Sequence, residues 1–195
     1  MRRVVLLALL ALVAVPLTAW ADIIVVNKGG TIAISNAGIT SHGSHLIQFG
    51  KVQGSGLGTV NFSTGALVSG SIQAGGVFSS TGSSFVVIGN HKGLPHGVLF
   101  NGTFTGDIQW TLVSQHGAKL QYELTGDLVG QLYNGRTISG KTVQDFYTTK
   151  GQLAKGIGHI SLGTTTFVPE PGTLGLLGTG LVGIAGIVRR RLAHP

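Results

Sequence analysis

Hydrophobic and polar residues alternate with period two along much of the chain, and the clearest run is Lys119 to Leu132. There Leu120, Tyr122, Leu124, Leu128 and Leu132 share one face, while Lys119, Gln121, Glu123, Thr125, Asp127 and Gln131 share the other, with Val129 as the exception. Such alternation predicts a half-buried strand, and Gly126 and Gly130 on its apolar face predict a bend. Asn134-Gly135 then reads as a two-residue hairpin turn that returns the chain along Arg136 to Ser139. Asp107 to Val113 alternates in the same way, and Trp110 falls in phase with Ile108 and Leu112, so Trp110 and Tyr122 are both expected in the core.

Shorter strands fill the rest. Asp22 to Val26 is β-branched, and Lys28-Gly29-Gly30 predicts a turn into Thr31 to Ser35, an opening hairpin. Leu46 to Val52 follows. Gln53 to Ser84 holds eight Gly, eight Ser and three Thr, a composition unsuited to helix. It reads as short strands, Leu57 to Phe62 and Ala66 to Gln73, joined by turns, with Gly75-Gly76 turning into Val77-Phe78 and partial disorder as the alternative. Ser84 to Ile88, Val98 to Phe104 with a bulge or tight turn at Asn101-Gly102, Val143 to Thr149 and Gly158 to Phe167 complete the set, and Lys150 to Lys155 has room for one helical turn. Many short strands without a long helical period predict an all-β fold, a single antiparallel β-sandwich. A parallel β-helix is the alternative suggested by the Gly/Ser-rich stretch, although no fixed-period repeat supports it.

The pattern changes at both ends. Arg2 and Arg3, an apolar run from Val4 to Val15, Pro16 and the small residues Ala19 and Ala21 around Trp20 make a secretory signal peptide, residues 1–21, with cleavage at Ala19-Trp20-Ala21. At the other end no charged side chain occurs from Gly172 to Val188, and a helix of that length spans about 26 Å, close to the hydrocarbon thickness of a bilayer. Arg189, Arg190 and Arg191 follow at once and hold their end cytoplasmic, which leaves the preceding domain outside. Six glycines make the span a weak anchor, and Pro169 and Pro171 flank Glu170 in an extended approach that a protease can grasp. Residues 22–167 remain as one β domain between the two signals.

Composition then limits the chemistry. The formal charge of +7 is inflated by the terminal arginines; residues 22–167 carry eight Lys/Arg against five carboxylates, scattered rather than clustered, which gives no support for nucleic-acid binding. There is no cysteine, hence no disulfide and no thiol site. His42 with His45 and His91 with His96 match no zinc spacing, and Thr105-Gly106-Asp107 and Thr125-Gly126-Asp127 read as turns or bulges rather than calcium sites; no metal or cofactor is expected. Gly178-Thr179-Gly180-Leu181-Val182-Gly183 matches the dinucleotide fingerprint in letters, but it lies inside the apolar span without a βαβ unit. No G-x-S-x-G elbow and no carboxylates paired in sequence point to hydrolysis. Of the aromatic residues that could stack on a sugar, Tyr133 and Tyr147 are the ones not claimed by the core pattern.

Val168-Pro169-Glu170-Pro171, the Gly-rich apolar segment and the cluster Arg189, Arg190, Arg191 together resemble the PEP-CTERM sorting signal, here residues 168–195 with a transmembrane helix at 172–188. The resemblance implies a bacterial protein exported through the secretion translocon, transiently anchored in the inner membrane, processed by an exosortase and released to the cell surface or extracellular matrix, in organisms that typically make exopolysaccharide. It implies no activity for the domain itself. The resulting expectation is a non-enzymatic envelope or matrix protein, with a carbohydrate-binding module for exopolysaccharide as the alternative and a secreted hydrolase as the second.

Overall fold

The alternation is carried by twelve strands: β1 (Ile23–Lys28), β2 (Thr31–Ser35), β3 (Gly38–His42), β4 (Ser44–Phe49), β5 (Val52–Ser63), β6 (Leu67–Ser71), β7 (Gly75–Phe78), β8 (Ser84–Gly89), β9 (Gly97–His116), β10 (Lys119–Leu132), β11 (Thr137–Thr149) and β12 (Ile157–Pro169). A single helical turn, α1 (Lys150–Leu153), links β11 to β12 and is closed by a capping box between Thr149 and Gln152. The computed structural model describes residues 22–169. The expected signal peptide with Ala19 and Ala21, the span 172–188, and Glu170, Pro171, Arg189, Arg190 and Arg191 lie outside the described residues.

Every pairing is antiparallel, and the strands close on themselves. β1 pairs with β4, β4 with β5, β5 with β8, β8 with β9, then β9–β10–β11–β12 follow in order, and β12 returns to β1 with Ile23 opposite Phe167 and Lys28 opposite Leu162. Where the sequence suggested a two-sheet sandwich or a parallel β-helix, the structure has one sheet closed into an eight-stranded barrel, with the β2–β3 and β6–β7 hairpins as extensions. Long strands make the difference. β9 spans both segments read as separate strands; it pairs with β8 over its first part and with β7 over Ile108 to Thr111. Asn101-Gly102 lies within β9 and makes no turn; the extra residue against β8 is Leu99.

Lys28-Gly29-Gly30 is likewise a bend and not a turn. β1 and β2 both run beside β12, the first along Leu162 to Phe167 and the second along Ile157 to His159, so the chain continues forward through Gly29 and Gly30 at φ +69 and +88. The reversal comes later, at Asn36-Ala37, between Ser35 and Gly38. The Gly/Ser-rich stretch forms most of β5 together with β6 and β7.

A string of aromatic rings fills the barrel. Tyr122 stacks on Trp110 at 4.5 Å, Trp110 meets Phe146, Phe146 meets Phe62, and Phe62 leads through Phe85 to Phe100 and Phe167. Interior glycines make room for these rings: a Cβ at Gly126 would sit 2.6 Å from the Phe104 ring, at Gly130 2.7 Å from Phe100, and at Gly140 2.6 Å from Phe167. At one end of the string Trp110 Nε1 donates to the Ile72 carbonyl (2.9 Å) and Tyr122 Oη to that of Gln73 (2.7 Å), so the β6–β7 turn closes over the core.

One wall of the interior is polar. Asn27, Ser44, Thr142, Gln144 and Thr165 are fully buried. Asn27 Nδ2 donates to Ser44 Oγ (2.7 Å) and Gln144 Oε1 (3.0 Å), Gln144 Nε2 donates to Thr142 Oγ1 (2.8 Å) and back to Asn27 Oδ1 (3.3 Å), and Thr165 Oγ1 donates to Thr142 Oγ1 (2.8 Å). Asn27 on β1 and Gln144 on β11 both lie opposite Gly163 on the strand between them, and they meet across it because it has no side chain. A slip of one residue in β12 would move Gly163 out of that row and expose the amides to apolar neighbours, so the cluster fixes the register at the closing seam. Ser41, Thr64 and Ser83 do related work where the ladder is interrupted, accepting the N–H of Phe62, Ile39 and Phe104.

Two outcomes follow from this interior. Gly163→Ala forces a methyl into both amides and should lower stability by about 3 kcal/mol, whereas Gly151→Ala, where a Cβ meets nothing within 4 Å, should be neutral or stabilising by up to about 1 kcal/mol; urea unfolding of both variants measures the contrast. Burial pushes the Tyr122 phenol above its ordinary value. The folded state therefore keeps this proton after the unfolded chain has lost it, so the stability it contributes is intact below about pH 10 and declines as pH rises further. Tyr122→Phe should flatten that alkaline decline while costing about 1 kcal/mol at neutral pH through the unpaired Gln73 carbonyl, both read from unfolding curves across pH.

Candidate functional site

Connections in an antiparallel barrel alternate between its two ends, and one rim gathers the β4–β5 turn at Gly50-Lys51, the β8–β9 loop, the β10–β11 turn at Asn134-Gly135 and both ends of the described chain. β12 does not stop at Phe167. Val168 pairs with Ser139 and Pro169 with Ile138, so two residues read from the sequence as the start of the tail belong to the barrel wall. Proline is tolerated there because it is the last residue of the strand. Phe167 is a core residue, fully buried, 4.3 Å from the Phe100 ring and seated over Gly140.

Tyr133 and Tyr147 are both exposed, but the structure does not bring them together. Tyr133 sits at the β10–β11 turn on the rim where the chain ends; Tyr147 lies ten residues beyond Thr137 along β11, about 33 Å away. Tyr147 stands on the outer wall. Its β12 partner His159 lies face to face with it, ring centroids 5.3 Å apart and planes 20° apart. Beside Tyr147 runs a groove of about 400 Å³, lined by Ser114, His116, Lys119, Gln121, Tyr147 and Ser161, with Leu120 and Phe146 at its base. Opposite pairing makes a row: Ser114 faces Gln121, Gln121 faces Tyr147, Tyr147 faces His159, His159 faces Thr31 and Thr31 faces His42.

Sequence reasoning singled out Tyr147 as a candidate and did not single out His159, Gln121 or Lys119, which the structure places around it. The alternation does place Gln121 and Lys119 on the polar face of β10. What it cannot supply is the register between β11 and β12, which contains a bulge between Asp145 and Phe146 that leaves Ser161 outside the pairing.

The remaining sequence candidates are dispersed. His42 and His45 lie on either side of the Gly43 bend, and His91 Nδ1 accepts the Gly93 N–H within the β8–β9 loop. Among the described residues no group of three or more His, Cys, Asp or Glu side chains is placed to hold a metal ion. Thr105-Gly106-Asp107 and Thr125-Gly126-Asp127 flank the same register shift between β9 and β10, which makes them part of a bulge, although the second tripeptide pairs regularly with β11. Glu123 and Asp145, distant in sequence, stand directly opposite each other on β10 and β11, one outward row from Tyr147. Among the described residues no helix is long and apolar enough to cross a membrane.

Residues 167–191 match the PEP-CTERM protein-sorting motif. No curated protein and no solved structure matches the chain. The motif implies a sorted, exported protein with an exosortase as its processing partner, and its first three residues, Phe167 to Pro169, are the end of β12. Phe167→Ala should therefore cost about 3–5 kcal/mol in urea unfolding although it alters the motif match at its first position only, while Val168→Ala, at an exposed site, should stay within about 0.5 kcal/mol.

Proposed function

We propose that this chain, sorted through its PEP-CTERM motif, is a non-enzymatic barrel protein of a bacterial envelope or extracellular matrix. The observation that carries the reading is the continuity of motif and barrel. Among the described residues β12 pairs with β1 as far as Phe167 and with β11 as far as Pro169, so a cut beyond Pro169 leaves every described strand of the ring in place. The signal peptide takes the chain to the translocon, the apolar span 172–188 holds it briefly in the inner membrane with the arginines on the cytoplasmic side, and the exosortase releases it to the surface or matrix.

A second reading, a carbohydrate-binding module, is favoured by the Tyr147 groove, whose lining combines an exposed aromatic side chain with the amide of Gln121 and the hydroxyls of Ser114 and Ser161. On this reading the barrel is both cargo and binder, and its partner is exopolysaccharide.

The tail is expected to be absent from the mature protein. Mass spectrometry of the protein from native cells should show a species that ends near Val168 to Pro171; recovery chiefly with Arg189 to Pro195 still attached would sink the sorting reading and leave a plain anchor. Replacing Pro169 and Pro171 with alanine should let helix extend outward from the span and leave uncut protein in the inner membrane.

A further inference from the structure

We infer that the groove beside Tyr147 takes an acidic sugar, a uronic acid residue of a polysaccharide, with its ring against Tyr147 and its carboxylate against Lys119. This rests on the carbohydrate-binding reading and adds the charge and the orientation of the ligand.

Tyr147 has two ring faces, and they are not equivalent. His159 covers one of them at 5.3 Å in a nearly parallel plane, and His159 does not line the groove. Most of the groove's lining comes from β9 and β10, through Ser114, His116, Lys119 and Gln121, and Tyr147 on β11 and Ser161 on β12 complete it. His159 thus acts as a backing that keeps the phenol upright with its other face open to the groove. An aromatic face held in this way suits the C–H face of a sugar ring, an apolar surface edged by hydroxyls. The edge groups find partners nearby. Ser114 Oγ donates to Gln121 Oε1 (3.3 Å), which orients the amide and leaves its N–H groups to donate outward.

Charge decides the kind of sugar. Lys119 is the one permanently charged side chain among the lining residues, at the start of β10 opposite His116 and Thr149. Glu123 and Asp145 stand one outward row away, on the side toward the chain ends. A carboxylate on the ligand is attracted at the Lys119 side and repelled at the other, so the field across the groove selects an anion and fixes which way round it lies. Neighbouring outward residues continue the path: from Ser114 to His42 the row crosses six strands, about 24 Å, room for several sugar rings.

The test is equilibrium binding of the full chain in detergent to alginate, a polyuronate, and to dextran, a neutral polymer, at two salt concentrations. Alginate should bind more tightly than dextran and lose affinity as salt rises. Tyr147→Ala should weaken alginate binding about tenfold or more, and Lys119→Gln about threefold to tenfold with a flatter salt dependence. His159→Ala should weaken binding and His159→Phe should restore it, because a second ring supplies the same backing; a merely structural role for the imidazole would not show this rescue. These side chains are surface groups, and an unchanged circular dichroism spectrum confirms the fold of each variant. Equal binding of alginate and dextran, both lost in Tyr147→Ala and neither changed in Lys119→Gln, overturns the acidic-sugar inference and leaves the carbohydrate-binding reading standing. Binding of neither polymer, or binding indifferent to Tyr147→Ala, overturns both.

Discussion

The constraint on which this structure depends is the width of an eight-stranded ring. Interior-facing positions from all eight walls point at the same narrow axis, and there is not room for a large side chain at each of them. The chain solves this by pairing bulk with its absence: Phe104, Phe100 and Phe167 occupy space that Gly126, Gly130 and Gly140 leave open, and the Asn27–Gln144 amides meet across Gly163. The high glycine content is therefore a packing requirement in the wall as much as a turn requirement at its ends. With no cysteine available, closure of the seam and density of the core carry the stability that disulfides supply in many exported domains.

That same requirement explains what could be read in advance. Lys119 to Leu132 was legible as a strand because its alternation is local, and its observed bounds coincide with β10. The reversal at Asn134-Gly135 was legible because turn chemistry is local too, although the loop is the three residues Tyr133 to Gly135, closed between Leu132 and Arg136, and not a two-residue turn. The sorting signal is a linear pattern and needs no fold to be recognised. By contrast, Lys28-Gly29-Gly30 carries the letters of a turn, and only the presence of β12 alongside both β1 and β2 makes it a bend. Sandwich and barrel share the same period-two strands; what separates them is whether Ile23 finds Phe167, a contact between the ends of the domain. His159 and the Glu123–Asp145 pair escaped for the same reason, since cross-strand register is not written in either strand alone.

The outer wall is organised along the barrel's length. The chain ends leave from one rim, and the Tyr147 groove lies toward the other, about 33 Å along β11 from the β10–β11 turn. The core is likewise polar and seam-fixing along β1, β12 and β11, where the ring closes, and aromatic along its axis.

Closure between the first strand and the last has a consequence in time. A chain made and threaded from its N-terminus delivers β1 at the outset, and its partner along the seam arrives only when nearly the whole domain has passed. Until then β1 has one open edge and the ring cannot form, which is the slow, long-range kind of assembly that postpones stable structure. On the proposed route the delay is useful, because a polypeptide must remain unfolded to go through a translocon. The residues that complete the ring, Phe167 to Pro169, are also the first of the sorting motif, so the barrel can shut only when that motif has begun to emerge. On that proposed route, the order in which the strands emerge keeps folding from running ahead of export.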